Sequence, residues 1–556
     1  MFTYEMAHLN EDEIREVLCA ESVSDISDCD IDYNSENYET NESETDSEPE
    51  PLLTPSGSVD SLFIAKNKMV WSATPLPQHI GSAIENIIST QPGPTRFAVS
   101  RCHDIVSAFL LFFPPPIEKI VIENTNKYDR VKFDDKWGDI DDDILCRGKN
   151  EDVHGLFDSK FGRPIFRSIM SENHFHKITS ALRFDDVLSR QQTRSSDKFA
   201  PIRDLWDRWQ QFLPMFYNCH ENVTVDEQLV AFRGRCSFRQ FMPSKPAKYG
   251  LKFWLSVDSK SGYVWKIQPY LGKPRNAKPE KNQGERVALD LTDDLKGQNI
   301  TADNFFSTFE LVKKLHERKL TYVGTVRKKK TFIPPKLLTV KNLPLYKSTF
   351  AFNGIATLVS YISHKNRATI LISTIHKKDK VDESGPKKKP EIVSYYNSTK
   401  GGVDTADQMI GSYTTKRQTN RWPNIVFANI LDISALNAYI IFSEIDVSWT
   451  PACRNRRRPN FLRQLALSLA EPHMMKRTKL PQQQFSAQLL REIRTPSTAP
   501  VACSKNASSS GHRKRGICSC CKSKSDVKCS ICSAFICKTN PKTFCSSCST
   551  KKYRTN

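Results

Sequence analysis

Residues 223–230 read Val-Thr-Val-Asp-Glu-Gln-Leu-Val, a β-type run broken at its centre by acid and amide letters. Alternation places Val223 and Val225 on one strand face and turns Asp226 to the other, so a charged group can leave an otherwise buried strand. Downstream, Leu251-Lys-Phe-Trp-Leu-Ser-Val257 and Gly262-Tyr-Val-Trp-Lys-Ile267 flank the polar letters Asp258-Ser-Lys-Ser261. That pattern predicts a β-hairpin with Gly262 at the bend, and hence three sequential antiparallel strands. A helical stretch is expected near 285–296, then a strand ending at Asp303. A helix through Phe309, Leu311, Val312 and Leu315 and a strand Tyr322-Val-Gly-Thr-Val326 complete the series. Three antiparallel strands followed by alternating helix and strand is the chain order of an RNase H-like α/β core.

On the N-terminal side, apolar stripes at Ile84, Ile87 and Ile88, at Ile105, Ala108, Phe109, Leu111 and Phe112, at Ile165, Ile169, Phe175, Ile178 and Leu182, and at Leu205, Trp209, Phe212 and Leu213 predict helices. On the C-terminal side, residues 331–396 combine Pro334, Pro335 and Pro344 with strand-like runs at 357–361 and 368–372, which reads as a β-rich insertion. Helical patterning resumes from Val403 to Phe442 and again near 460–470. A Ser/Gln/Pro-rich linker follows the basic run Arg454-Asn-Arg-Arg-Arg458 and that helix.

At 556 residues the chain can hold several domains. Its net charge is +19, yet residues 1–60 carry 18 acidic side chains against Arg15 alone; the local charge is −17, so the remainder holds +36. Residues 1–75 are expected to be disordered, too polar to offset their ordering entropy. The basic remainder favours a polyanion, nucleic acid first. No apolar run of membrane-spanning length is expected, nor a leader peptide, so a soluble intracellular protein is anticipated. Half of the 16 cysteines lie between Cys518 and Cys548. Cys518-x2-Cys521, Cys529-x2-Cys532, Cys537 and Cys545-x2-Cys548 have zinc-ligand spacing.

Four acids stand where carboxylates from separate elements could share a metal: Asp226 in its strand, Asp303 at a strand end, and Asp404 with Asp407, three apart in a helix-prone segment. Mg²⁺ takes oxygen ligands, and phosphoryl displacement uses such cations. Taken singly, an Asp at a strand end more often caps a turn. Basic clusters follow these acids: Arg233, Arg235, Arg239, Lys245, Lys248 and Lys252; then Arg327 to Lys330; then Lys416, Arg417 and Arg421. They are candidate phosphate contacts, against the alternative of a solvated charged face.

The segments VTVDEQLVAFRGRCSFRQFMPSKPAKYGLKFWLSVDSKSGYVW (223–265), ITADNFFSTFELVKKL (300–315), YVGTVRKKK (322–330) and YYNSTKGGVDTADQMIGSYTTKRQTNRWP (395–423), with the terminal cysteines, resemble a piggyBac transposase. The resemblance implies an RNase H-like catalytic domain at 219–330 and 397–450, interrupted by the β-rich insertion at 331–396. It also implies a helical dimerisation and DNA-binding domain at 76–218 with 410–475, a linker at 476–514 and a cross-brace zinc module at 515–552. Function follows the same resemblance: cut-and-paste transposition at TTAA sites through hairpinned transposon ends, by a nuclear homodimer on double-stranded DNA. Asp226, Asp303 and Asp404 become the triad holding Mg²⁺ (or Mn²⁺), and Asp407 a further essential carboxylate close to the metals.

Two departures accompany the resemblance. One zinc site has Cys529, Cys532, Cys545 and Cys548, whereas the other has Cys518, Cys521 and Cys537 and lacks an obvious fourth ligand, for which Cys520 or His512 are candidates. Around 141–149 the family tends to carry a long apolar helix, of which only Ile144 and Leu145 remain. A domesticated or decayed DNA-binding or chromatin protein is therefore the second reading, and a zinc-tailed nuclease the third.

Overall fold

The computed structural model describes residues 62–77, 90–133, 153–186, 197–273, 280–449 and 456–494, single residues 88 and 190, and four two-residue strands between 516 and 536. They belong to two units, Met1–Arg494 and Thr495–Asn556. The shortened 141–149 segment and the zinc-type cysteines lie outside the described residues.

An eleven-stranded sheet organises the first unit. Its strands are β1 (Leu62–Ile64), β2 (Val70–Ser72), β3 (Asn222–Ala231), β4 (Gln240–Phe241), β5 (Tyr249–Asp258), β6 (Val264–Pro269), β7 (Asn299–Ala302), β8 (Thr321–Thr325), β9 (Ser348–Phe352), β10 (Thr357–His364) and β11 (Arg367–Ser373). They pair in the order β1-β2-β9-β10-β11-β8-β7-β3-β5-β4, with β6 also on β5. The expected hairpin forms: β5 and β6 pair antiparallel, and Gly262 takes φ +76° at the bend. β3 runs antiparallel to β5, whereas β7 joins β3 and β8 joins β7 in parallel. Parallel neighbours need a crossover connection, and the helices predicted between these strands supply it.

Three strands from residues 331–396 lengthen this same sheet, β11 pairing antiparallel with β8. The other end of the addition differs from expectation. Residues 62–72, placed by composition in a disordered leader, form β1 and β2, and Ser72 pairs with Phe352. Trp71 supplies the reason, since its ring is fully buried and its Nε1 donates to Phe332 O at 3.0 Å. With Phe63 and Ala65 also buried, these side chains remove apolar surface from water and so offset part of the cost of ordering the edge.

The helices that carry or support the site residues are α1 (Pro164–Ile169), α2 (Glu172–Ala181), α3 (Gln283–Leu291), α4 (Phe309–Glu317), α5 (Glu391–Thr399), α6 (Gly402–Ser412), α7 (Trp422–Ile445), α8 (Arg457–Lys476) and α9 (Gln484–Arg494). Contrary to the expectation of no spanning run, α7 is long and apolar enough to cross a membrane, but 94% of its most apolar window is buried inside the fold. A helix apolar all round fits a protein core. Two polar groups at its centre are matched: Asn437 both accepts from Val264 N and donates to Val264 O, and Ser434 accepts from Trp209 Nε1 at 2.9 Å.

The expected linker also differs, because α9 lies inside it. Ala487 and Leu490 are buried, and Leu490 packs with Leu156, Phe166, Ile169 and Met474 in a separate small core. Apolar letters at three-residue steps made this stripe, which the surrounding Gln and Ser content hid. In the second unit, 516–517 pairs with 524–525 and 527–528 with 535–536.

Candidate active site

β3 carries two faces with different tasks. Val223 and Val225 are buried in the main core, while Thr224, Asp226 and Gln228 alternate onto the other face. The parallel register sets Val225 opposite Ala302, so the next residues, Asp226 and Asp303, stand side by side. Asp303 follows the end of β7, where its Oδ1 accepts from Phe305 N at 2.8 Å. Asp226 Oδ1 accepts from Glu227 N at 2.7 Å.

Lys245, Lys252 and Arg327 act on this pair, yet burial and acidic neighbours outweigh them. Burial, then Glu227 and Asp303, push the Asp226 carboxyl well above the usual carboxylate range. Burial and then Glu227 raise Asp303 to about 6, while Arg327 and Lys252 oppose the rise. Both residues are half-buried, and acids brought together partly out of water behave this way; such groups cluster at functional sites. Glu227 itself lies 3.6 Å from Lys252 Nζ.

Asp404 projects from α6 with a largely exposed carboxylate, its Oδ1 3.7 Å from Lys245 Nζ. The same ammonium donates to Glu227 O at 3.2 Å and lowers the Asp226 carboxyl against the larger effects that raise it. Lys245 thus lies between the strand pair and Asp404. Asp407, one turn further on, is engaged differently: its Oδ1 accepts from Gln228 Nε2 at 2.8 Å.

Among the described residues, no three His, Cys, Asp or Glu side chains converge to hold a metal ion. The structure brings Asp226 and Asp303 together and leaves Asp404 across a lysine from them. The donor chemistry nevertheless fits a hard divalent cation, since the pair offers carboxylate oxygens whose charge the nearby Lys245, Lys252 and Arg327 do not offset.

The basic candidates divide. Arg233, Arg235 and Lys248 are exposed on the segment between β3 and β5. Arg327 is half-buried and donates from Nε to Asn304 Oδ1 at 3.2 Å, and Lys330, Lys416 and Arg417 are half-buried. Arg421, expected to touch DNA, is committed elsewhere: its guanidinium donates to Ser180 O and Leu182 O at the end of α2. Burial, with Arg183 and Arg190 nearby, lowers it to about 10. A helix end has carbonyls without intrahelical partners, and Arg421 supplies donors for them.

Sequence reasoning missed Glu227 and Gln228. Glu227 adjoins Asp226 in the 223–230 run, so its charge was legible there. Gln228 had only its place in the alternation, two residues beyond the acid.

The family described as Transposase IS4 matches residues 105–439, more than half of the chain. PiggyBac transposable element-derived protein 3 of Homo sapiens is 27% identical over 325 residues, which cover 55% of this chain and 53% of that protein. The Chimeric ERCC6-PGBD3 protein of Homo sapiens is also 27% identical over 325 residues, 55% of this chain and 29% of that protein. The chain thus spans about half the length of the first curated relative and less of the second. A cryo-EM structure of a piggyBac transposase synaptic complex with hairpin DNA aligns at TM-score 0.67 and 32% identity, covering 82% of this chain and all of that one. The chain belongs to the Transposase IS4 family and, within it, to the piggyBac transposases.

Proposed function

We propose that this chain is a divalent-metal-dependent DNA nuclease and strand transferase performing cut-and-paste transposition at TTAA sites. The observation that carries the reading is the placing of Asp226 on β3 beside Asp303, which follows the adjacent parallel strand β7, on the face that α6 covers with Asp404. β6-β5-β3-β7-β8 then act as an RNase H-like core, with 331–396 as its insertion. Asp226, Asp303 and Asp404 would hold Mg²⁺ or Mn²⁺, which when bound supplies charge stabilisation at phosphorus. Lys245 keeps Asp404 facing the pair, and Lys252 offsets the Glu227 charge. Arg233, Arg235, Lys248, Arg327, Lys330, Lys416 and Arg417 receive the phosphate backbone of transposon ends and target, and their contacts set register without reading bases. The terminal cysteines hold Zn²⁺, and the working form is a nuclear homodimer.

A second reading, a transposase-derived DNA-binding protein without transposition, is favoured by one observation: no three acids converge among the described residues. Excision from a plasmid carrying matched transposon ends, in Mg²⁺, separates the two. Wild type should excise, and Asp226→Ala and Asp303→Ala should not. Wild type that binds the ends without excising supports the second reading, and excision surviving either alanine removes the assigned site.

A further inference from the structure

The helix bearing Asp404 and Asp407 is held to β3 at two points, one on either side of Asp226. Toward the start of the strand, buried Thr224 donates from Oγ1 to O of Thr399, the last residue of the preceding helix α5, at 2.6 Å. There Gly402 packs so closely that a Cβ would lie 2.5 Å from that hydroxyl. Beyond Asp226, fully buried Gln228 donates from Nε2 to Asp407 Oδ1 at 2.8 Å, and its Oε1 accepts from Nδ2 of fully buried Asn429 at 2.9 Å. A relay of side chains therefore runs from the core helix α7, through the strand, to α6.

Chemistry fixes the direction of this relay. A carboxylate only accepts, so Gln228 must turn its Nε2 toward Asp407, which leaves its Oε1 for Asn429. One consequence is an orphan: Asn429 Oδ1 is buried without a partner among the described residues. Reversing both amides would give that oxygen a donor, but would press Gln228 Oε1 against the Asp407 carboxylate. The reversal would only exchange the unpartnered Oδ1 for an unpartnered Nδ2, so the Asp407 contact is what decides between the two orientations.

We propose that Gln228 and Asn429 are positioning residues whose relay, oriented by Asp407, clamps α6 onto β3 and so sets Asp404 beside Lys245 and the Asp226–Asp303 pair. The proposal rests on reading Asp226, Asp303 and Asp404 as the cleavage site. It makes Asp407 an anchor for the helix that carries Asp404.

The test is a polarity swap in the full-length chain. Gln228→Glu sets two carboxylates head to head; amide hydrogen exchange across residues 402–412 should rise at least about tenfold. Adding Asp407→Asn lets the new amide at 407 donate to the new carboxylate at 228, which still accepts from Asn429. Exchange should then return to within about threefold of wild type. A double variant exchanging as fast as Gln228→Glu alone overturns the relay. Should Gln228→Glu fail to fold, recovery of a folded chain in the double variant is the same rescue, and failure of both overturns the proposal.

Strand cleavage adds a second readout. Gln228→Leu should lower turnover at saturating DNA at least about tenfold while DNA affinity is unchanged. Lost affinity with unchanged turnover contradicts a positioning role. Asp404→Asn should abolish cleavage and leave exchange in 402–412 as in wild type. Cleavage by Asp404→Asn removes the site assignment, while the exchange measurements still decide the relay.

Discussion

Asp226 on β3 and Asp258 at the end of the neighbouring β5 are acids on adjacent strands of one sheet, and their surroundings are opposite. Asp258, with no exposed side-chain surface, accepts from the backbone N–H groups of His220, Lys260 and Ser261 and from the Ser261 hydroxyl, with His220 Nδ1 at 3.1 Å. Burial alone would raise its pKa, but the donors from His220 and Ser261 outweigh it and leave the carboxyl below its ordinary value. Asp226 accepts from Glu227 N and has two acids beside it, so burial and repulsion act together. The fold satisfies the acid that closes its hairpin, whereas at the acid assigned to chemistry Lys245 does not offset burial and two neighbouring acids. That contrast separates a structural carboxylate from a functional one better than burial does.

The strongest way to break this contrast is catalytic. Asp226→Asn should reduce cleavage of end-containing DNA at least about a thousandfold, whereas Asp258→Asn, assayed well below its unfolding temperature, should keep cleavage within about tenfold of wild type. Equal losses in a quantitative nicking assay would erase the distinction.

Stability should move in opposite directions. Asp258→Asn removes an acceptor from a crowded set of buried donors and should cost about 2–3 kcal/mol in denaturant unfolding. Asp226→Asn relieves buried repulsion and should stabilise the metal-free chain by about 1 kcal/mol at neutral pH. A destabilised Asp226→Asn would mean that the carboxylate is compensated after all.

The two acids also predict different responses to pH. The depressed pKa of Asp258 contributes stability that is present above 3.8, the ordinary value, and is lost as pH falls through the folded value. The raised pKa of Asp226 works the other way, since its ionisation costs stability as pH rises above 3.8 toward the folded value. Acid titration of unfolding should therefore flatten below pH 3.8 in Asp258→Asn and retain its slope there in Asp226→Asn.

The smallest expected effect is local. After burial, Glu227 is the charge that raises Asp303, so Glu227→Gln should move the Asp303 midpoint down from about 6 in the metal-free protein. Carboxyl carbon-13 titration of aspartate-labelled chain reads this directly. An unmoved midpoint would assign the shift to burial alone.

Much of the fold was legible because its signals are local. The alternation in 223–230, the polar bend before Gly262 and the helical spacing after Asp303 each depend on neighbours within a few residues, and together they mark five strands along the chain. The strand pair of acids was legible for the same reason, each being the first charged letter at or after an apolar run. α9 and the β1–β2 edge were not, since polar composition outweighed Leu490 and Trp71, and only their buried partners show those two letters to be decisive.

Arg421 and Gln228 show why the site itself was only partly readable. The basic run 416–421 gives no sign that Arg421 ends on carbonyls some 240 residues earlier in the chain, and nothing near Gln228 names Asp407 or Asn429 as its partners. The sequence by itself determined strand order, the apolar core and the candidate acids, because periodicity and charge are properties of neighbouring residues. Which acids meet, which is satisfied and which lysine stands between them was decided by tertiary structure, because burial and charge proximity depend on residues brought together across the whole chain.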